Sequence, residues 1–215
     1  MHQVHYIALE GPIGVGKSSL AKRLARDLKA RLVLEEEKHN PFLSSFYEDP
    51  EKFAFQTQLF FLLSRYKQQI GLKQQDLFHA GTVCDYLFAK DSLFASLNLT
   101  EDELNLYGKV YDLLDSKLPK PDLVVYLKAS PDVLFKHIKK RKAGYEQNIS
   151  EDYIEKVSQA YGEFFFQYES TPLLVVDVSG LDFVGKPADY ELFKRELDTM
   201  IKKGLKKHYV GIDNR

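Results

Sequence analysis

The sequence predicts an α/β protein with a doubly wound, five-stranded parallel sheet covered by helices on both faces. Short apolar runs alternate with longer segments of helical periodicity along the 215 residues. Most of these runs are continuously apolar, as expected for parallel strands that are buried on both faces. The predicted strands are Val4 to Leu9, Arg31 to Leu34, Gly81 to Asp85, Asp122 to Leu127 and Leu173 to Val178.

Helical patterns fill the intervals between the predicted strands, and several begin with start signals. Asp49-Pro50 and Ser130-Pro131 place proline in a first turn, and Thr100 with Glu103 predicts a capping box. In doubly wound sheets the ligand lies beyond the carboxyl ends of the strands, so residues near those ends are the first functional candidates. The predicted helices are Ser18 to Ala30, Pro50 to Gln69, Glu101 to Ser116, Pro131 to Arg141, Ser150 to Gln167 and Tyr190 to Lys203.

The composition is that of an ordinary soluble globular protein, with 44% hydrophobic and 28% charged residues and a net charge of -1. The single cysteine, Cys84, fits a reducing compartment. The first residues lack the basic region and cleavage site of a signal peptide, and the apolar runs are too short to span a bilayer. We therefore expect a cytoplasmic protein that binds neither nucleic acid nor membranes.

One segment is typical of a phosphate-binding loop. Gly11 to Ser18 matches G-x-x-x-x-G-K-[ST] at every fixed position, and it lies between a predicted strand and a predicted helix. Lys17 is expected to reach the β and γ phosphates of ATP, and the Ser18 hydroxyl to ligate Mg²⁺. The residues predicted to bind ATP are Gly11, Pro12, Ile13, Gly14, Val15, Gly16, Lys17, Ser18 and Ser19.

The loop indicates the phosphate donor and leaves the acceptor open. A GTPase would need a base-reading Asn-Lys-x-Asp, which the sequence lacks. An ATP motor would usually show an apolar strand that ends in Asp, whereas "DLVVYLKAS" has Lys128 at that place. Among proteins with a phosphate-binding loop, small-molecule kinases are then the class that the sequence favours.

Carboxylates follow the second and third strands. A kinase that phosphorylates a hydroxyl needs a carboxylate at this edge to orient it, and Glu35 to Glu37 could supply one. A solvated acidic run is the alternative. Asp85 ends the third strand and could hold Mg²⁺, or it could simply cap a turn.

Two further groups of residues are candidates for binding a ligand. Gln58 and Arg65 share a helix face about 10 Å apart and could contact a nucleobase, or they could form the polar margin of an amphipathic helix. Lys136 to Lys142, before Ala143-Gly144, are typical of a lid over phosphates, although lysines also favour helix C-termini. We retain Arg141 and Glu146, and interpret "IKKGLKKHY" as a solvated helix end.

With these residues placed, the chain resembles the deoxynucleoside kinase family, especially bacterial deoxyadenosine and deoxyguanosine kinases. The resemblance covers residues 4–184 and rests on "EGPIGVGKSSL", "EEEKHNPFLSSFYEDPEKFAFQTQ", "LLSRYKQ", "DYLFAKDSLFA", "PKPDLVVYLKASPDVL", "IKKRKAGYEQ" and "YGEFFFQY". It implies a three-layer P-loop kinase fold, a single domain over residues 1–215, and a short lid at about 137–148.

The resemblance also implies a role for each matching residue. Glu35 is expected to take the proton from the sugar 5′-hydroxyl, with Glu36 as the fallback, and Lys17 and Arg141 to act on the phosphates. The residues implied to bind the deoxynucleoside are Glu35, Tyr47 and Glu146 on the sugar, and Gln58 and Arg65 on the base; those implied to hold Mg²⁺ are Ser18 and Asp85.

The chain departs from the family pattern after the third strand. Family members often have an acidic-Arg pair where this chain has Asp85-Tyr86, and Lys90, a turn later, is a candidate to replace the arginine. His137 and Ala143 stand where lid arginines are common, and lysines cannot reproduce bidentate contacts to phosphate.

We therefore predict a deoxynucleoside kinase that uses ATP and Mg²⁺, and a homodimer formed through the apolar surface of "LFFLLSRY". One alternative is a thymidylate-type nucleoside monophosphate kinase, which usually has Asp-Arg-Tyr where this chain has Asp85-Tyr86. The other is a nucleotide-binding protein with a decayed kinase site. The choice between purine and pyrimidine acceptors stays open at this point.

Overall fold

Within the part of the chain that the structure describes, the central sheet has six strands. The computed structural model describes residues 4–73, 79–141 and 149–211. Every strand is parallel to its neighbours, in the order β2-β3-β1-β4-β5-β6. The predicted doubly wound α/β fold is confirmed, but the predicted number of five strands is wrong. The strands are β1 Tyr6–Glu10, β2 Arg31–Val33, β3 Thr82–Cys84, β4 Leu123–Lys128, β5 Leu173–Asp177 and β6 Lys207–Val210.

Helices connect successive strands and begin where their start signals predict. The Asp49 side chain accepts a hydrogen bond from the Lys52 amide at 3.3 Å, and the capping box of Thr100 and Glu103 is formed. Within the described residues, no helix has both the length and the hydrophobicity needed to cross a membrane. The helices are α1 Lys17–Leu28, α2 Leu43–Glu48, α3 Pro50–Ile70, α4 Lys90–Asn98, α5 Glu101–Asp115, α6 Pro131–Arg141, α7 Glu151–Phe166 and α8 Pro187–Lys203, with short 3-10 turns at Glu37–His39 and Gly71–Lys73.

The sixth strand lies in the tract that we interpreted as a solvated helix end. Helix α8 ends at Lys203, and Gly204 follows in the left-handed conformation with φ 61°. Residues 207–210 then pair with β5 at the edge of the sheet. An edge strand is half exposed, and Tyr209 is 60% exposed. The tract therefore lacks the apolar run that marks an inner strand, which is why the interpretation was wrong.

Both faces of the sheet are buried, which explains the continuous apolar runs. In β4, Leu123, Val125 and Leu127 belong to the hydrophobic cluster on one face, with α1, α6 and α8. Val124 and Tyr126 belong to the cluster on the other face, with α7. Each β4 residue is therefore nearly fully buried except the last, Lys128.

The register of the sheet places the candidate site. Cys84 of β3 lies opposite Ala8 of β1 on one side and Val33 of β2 on the other. The three strands therefore end at one edge, where β1 leads into the phosphate-binding loop. Asp85 follows β3 and Glu35 follows β2 at this same edge.

Candidate active site

The phosphate-binding loop joins β1 to α1, which begins at Lys17. Gly14 has φ 84°, and a Cβ at this position would come within 2.7 Å of the Leu134 carbonyl oxygen and 2.9 Å of Ile138 in α6. Only glycine fits this conformation and this contact. The His137 ring nitrogen Nδ1 is also 3.0 Å from the Gly14 carbonyl oxygen. The loop is thus packed directly against the helix that leads to the predicted lid.

The larger of the two cavities at this edge encloses about 930 Å³ and lies over the loop. Ile13 to Ser19 line it, as the motif predicts for ATP-binding residues. Gly11 and Pro12 do not; their carbonyl oxygens accept hydrogen bonds from Lys17 Nζ at 2.6 and 3.2 Å. Burial lowers the pKa of the Lys17 ammonium. Val178 and residues 181–185, which the sequence did not single out as site residues, also line this cavity.

Asp85 connects the loop with the segment after β2. The Ser18 hydroxyl donates to Asp85 Oδ2 at 2.5 Å, and the Glu35 backbone amide donates to Asp85 Oδ1 at 2.7 Å. Burial raises the pKa of the Asp85 carboxyl, and the bond from Ser18 works against that rise. Two oxygen atoms suited to Mg²⁺, which commonly uses one or two protein ligands besides phosphates, are therefore adjacent. The described residues contain no cluster of three or more His, Cys, Asp or Glu side chains suited to a metal.

The Glu35 side chain is held by two buried cations. Lys90 Nζ donates to Glu35 Oε2 at 2.6 Å, and Arg65 donates to Oε1 through Nε at 2.9 Å and through Nη2. Burial alone would raise the pKa of this carboxyl, but Arg65 and Lys90 outweigh it and hold the pKa well below its usual range. Glu35 is therefore a carboxylate at any ordinary pH.

A second, smaller cavity contains the residues predicted to bind the deoxynucleoside. Glu35, Tyr47, Gln58 and Arg65 all line it. Gln58 and Arg65 come from α3 and are 3% and 5% exposed. The rest of the wall is largely aromatic, with Phe46, Phe61, Phe94 and Tyr153. Glu146, the remaining predicted ligand, lies outside the described residues, as does the lid segment 142–148.

The fallback residue Glu36 has a different environment. Its carboxylate is 3.1 Å from the His39 ring nitrogen, and half of its side chain is exposed. It lines the larger cavity only, whereas Glu35 lines both cavities. Of these two glutamates, Glu35 alone therefore faces both cavities.

The sequence interpretation missed two buried carboxylates that lie next to this site. Asp91 is fully buried and pairs through Oδ1 with Arg65 Nη1. Its charge within the apolar run "LFAKDSLF" was the available signal. Glu10 is also fully buried, and accepts from the Gly11 amide at 2.8 Å, the Leu87 amide at 2.7 Å and the Tyr161 hydroxyl at 3.0 Å. Glu10 thereby joins the loop to the segment between Asp85 and α4.

The position of the expected arginine is occupied by Tyr86, which is fully buried. Its hydroxyl donates to Gln68 Oε1 at 2.9 Å. Arg141, the predicted lid arginine, lines the larger cavity, and its Nη2 lies 3.6 Å from Glu37 Oε1. The side chain of Arg141 is 44% exposed.

A site in which a phosphate-binding loop faces a carboxylate and a small pocket with aromatic side chains is that of a P-loop kinase with a small acceptor. The family model for deoxynucleoside kinases matches residues 7–202. The deoxyguanosine kinase of Bacillus subtilis (strain 168) is 34% identical over 206 residues, which cover 94% of this chain and all of that protein. The deoxyadenosine kinase of Dictyostelium discoideum is 34% identical over 91% of this chain and 80% of its own length.

Solved structures that resemble this chain also come from a deoxynucleoside kinase. The structure of deoxyadenosine kinase from M. mycoides with the products dCMP and a flexible dCDP bound has a TM-score of 0.78 and 29% identity, covering 90% of this chain and 98% of that one. The same enzyme with bound dATP also gives a TM-score of 0.78, at 26% identity over 90% and 99% of the two chains.

The chain belongs to the deoxynucleoside kinase family. The prediction of an ATP-dependent phosphotransferase that phosphorylates a deoxynucleoside is confirmed. The comparisons do not favour the thymidylate-type kinase or the nucleotide-binding protein with a decayed site.

Glu35→Gln should destabilise the protein at neutral pH, because two buried cations lose their anionic partner. We expect the free energy of unfolding to fall by about 3 kcal/mol at pH 7. Since the native pKa of Glu35 is lowered, its stabilising effect is present above the unfolded pKa of about 4.3 and is lost as the pH falls below it. The difference in the free energy of unfolding between wild type and variant, measured by urea titration, should therefore become smaller from pH 5 to pH 3. A difference that stays constant over this range would contradict the lowered pKa of Glu35.

Proposed function

We propose that this kinase transfers the γ-phosphate of Mg²⁺-bound ATP to the 5′-hydroxyl of a purine deoxynucleoside. The observation that supports this most strongly is the position of Glu35, which lines both the cavity over the phosphate-binding loop and the smaller cavity. A carboxylate at that junction can hold the acceptor hydroxyl in line with a phosphate on the loop. The related M. mycoides deoxyadenosine kinase binds dATP and the products dCMP and dCDP, which are nucleotides of the same chemical class.

On the donor side, backbone amides of residues 13–19 and the Lys17 ammonium are proposed to bind the ATP phosphates. Ser18 and Asp85 would hold Mg²⁺, which when bound neutralises charge on the β and γ phosphates. Both oxygen atoms are hard ligands of the kind that Mg²⁺ prefers, so the residues fit this ion. Arg141, which lines the same cavity, is proposed to contact the phosphates as part of a lid over about 137–148.

On the acceptor side, Glu35 is proposed to accept a hydrogen bond from the 5′-hydroxyl. Its lowered pKa makes it a weak base, so it orients the hydroxyl and receives the proton late, as the new bond to phosphorus forms. Tyr47 and Glu146 are proposed to bind the sugar 3′-hydroxyl, and Gln58 and Arg65 the base. Glu146 enters this proposal through the family resemblance alone.

Two observations bear on the base of the acceptor: the first supports a purine, and the second argues only against thymine. The relatives named above act on deoxyguanosine and deoxyadenosine. In addition, Arg65 donates while its partner Asp91 can accept, and no described residue bonds to Asp91 Oδ2. Such a pair matches a base edge that offers an acceptor beside an amino group. Adenine, guanine and cytosine have an exocyclic amino group, whereas thymine does not, so thymidine should be the poorest acceptor.

A homodimer in the cytoplasm is the proposed working form, with each chain folded as one domain over residues 1–215. Helices α3 and α5 pack together, and each exposes large apolar side chains. Leu63 of α3 is 48% exposed, and Leu106 and Leu113 of α5 are 54% and 60% exposed. Burying this surface against a second copy would remove it from water.

Glu35→Gln should abolish turnover while leaving ATP binding intact, because the variant loses the group that orients the acceptor. Release of ADP is measured with deoxyadenosine, deoxyguanosine, deoxycytidine and thymidine, and with the four monophosphates. Glu36→Gln is the matched control and should retain activity. An active Glu35→Gln and an inactive Glu36→Gln would show that Glu36 orients the acceptor hydroxyl. Activity on monophosphates alone would overturn the proposed function.

Asp85→Asn should weaken the response to Mg²⁺, since the variant removes a charged oxygen beside Ser18. The Mg²⁺ concentration for half-maximal activity at fixed ATP should rise roughly tenfold or more. Glu36→Gln, which removes a carboxylate lining the same cavity, should leave this Mg²⁺ concentration unchanged. An unaltered Mg²⁺ response in Asp85→Asn would exclude Asp85 from the metal site.

Leu106→Glu should disrupt the proposed dimer by placing a charge in its apolar interface. Light scattering after size exclusion should give twice the 24.8 kDa of one chain for the wild type and one chain mass for the variant. Phe166→Glu is the control, because Phe166 is 79% exposed but belongs to α7. A monomeric wild type at micromolar concentration would refute the dimer.

A further inference from the structure

Lys90 occupies the boundary between the two cavities. It is the first residue of α4, and its side chain lines both the larger and the smaller cavity. Among the residues that the structure describes, it is the one lysine or arginine that lines both. A cation at this boundary lies where the acceptor hydroxyl and the transferring phosphate must meet.

The ammonium group of Lys90 is buried and bonded to the carboxylate that is proposed to bind the acceptor. Lys90 is 4% exposed, and its Nζ is 2.6 Å from Glu35 Oε2. A buried ammonium is costly unless it is paired, so the pair holds Nζ in one place. An oxygen that bonds to Glu35 Oε2 would therefore lie within reach of Nζ as well.

Arg65 and Lys17 also lie at this site, but each lines one cavity only and has other partners. Arg65 bonds to Glu35 Oε1 and to Asp91 and lines the smaller cavity only. Lys17 lines the larger cavity only, where its Nζ bonds to the carbonyl oxygens of Gly11 and Pro12. Tyr86 has no charge, and its hydroxyl donates to Gln68. Lys90 is thus the described cation best placed to act on the attacking oxygen.

We propose that Lys90 is a catalytic residue whose ammonium contacts the 5′-oxygen of the bound deoxynucleoside and the γ-phosphate during transfer. This inference rests on the proposed role of Glu35. The 5′-oxygen forms the bond to the γ phosphorus, the bond from that phosphorus to the β–γ bridging oxygen breaks, and ADP leaves with the electron pair. The hydroxyl proton passes to Glu35. Lys90 keeps its protons and neutralises negative charge shared between the attacking oxygen and the phosphate.

This assignment gives the missing arginine a replacement from a different element. The positive charge enters the site from the first turn of α4 and not from the residue after Asp85. A lysine offers one point charge where an arginine offers a planar fork. We therefore expect Lys90 to stabilise the transition state by charge more than by bidentate geometry.

The test compares Lys90→Met, Lys90→Ala and Lys90→Arg with Lys203→Met, an exposed lysine at the end of α8. Lys90→Met should lower kcat by about 100-fold or more, the loss typical of one stabilising donor, while ATP affinity and the KM of the deoxynucleoside stay nearly unchanged. Lys203→Met should behave like the wild type. The variants should fold because Glu35 keeps Arg65 as a partner, and thermal melting checks this.

Two further measurements separate charge in the transition state from a purely structural role. Lys90→Arg should recover part of the lost kcat, and added methylammonium or ethylammonium should raise kcat of Lys90→Ala. A kcat near that of the wild type in Lys90→Met, or a defect confined to KM, would overturn the inference. Suppose that either result is found, that the wild type phosphorylates deoxynucleosides and that Glu35→Gln does not. The proposed function would then stand, and only the proposed role of Lys90 would be wrong. A wild type inactive on all deoxynucleosides would overturn both.

Discussion

The buried ion pairs between Glu35 and its two cations are the constraint on which the rest of the site depends. A single charge in this interior would cost several kcal/mol, and the ion pairs with Arg65 and Lys90 together offset that cost. The cluster joins three elements: the segment after β2, α3 and the start of α4. Because α3 also supplies Gln58, the positions of the proposed catalytic carboxylate and of the residues proposed to bind the base are set by the same contacts.

Asp85 has a comparable role between the donor and acceptor sides. One of its oxygen atoms accepts from Ser18 and the other from the Glu35 amide. The residue proposed to help hold the metal therefore also sets the backbone position of the residue proposed to orient the hydroxyl. Substitutions at Asp85 should be interpreted with both contacts in mind, since a change in metal response and a displaced Glu35 have the same origin.

The sequence predicted those features whose residues lie close together along the chain. The phosphate-binding loop has its ligands within a few consecutive residues, and the inner strands are apolar on both faces, so both could be found in the sequence. Strand β6 and helix α4 could not, because an edge strand is half polar and α4 contains the charged pair Lys90-Asp91. Asp91 and Glu10 were missed since their functions arise from partners distant along the chain: Arg65 for the former, and Leu87 and Tyr161 for the latter. Gln58 and Arg65 were only weak candidates until the family resemblance assigned them.

The close contact between Gly14 and α6 fixes the phosphate-binding loop against the start of that helix. Leu134 and Ile138 press on the loop with no room for even a methyl group, and His137 bonds to the same glycine. The first two turns of α6 and the phosphate-binding loop therefore form one packed unit. A displacement of α6 relative to the loop would have to break the contacts of Leu134, His137 and Ile138 with Gly14.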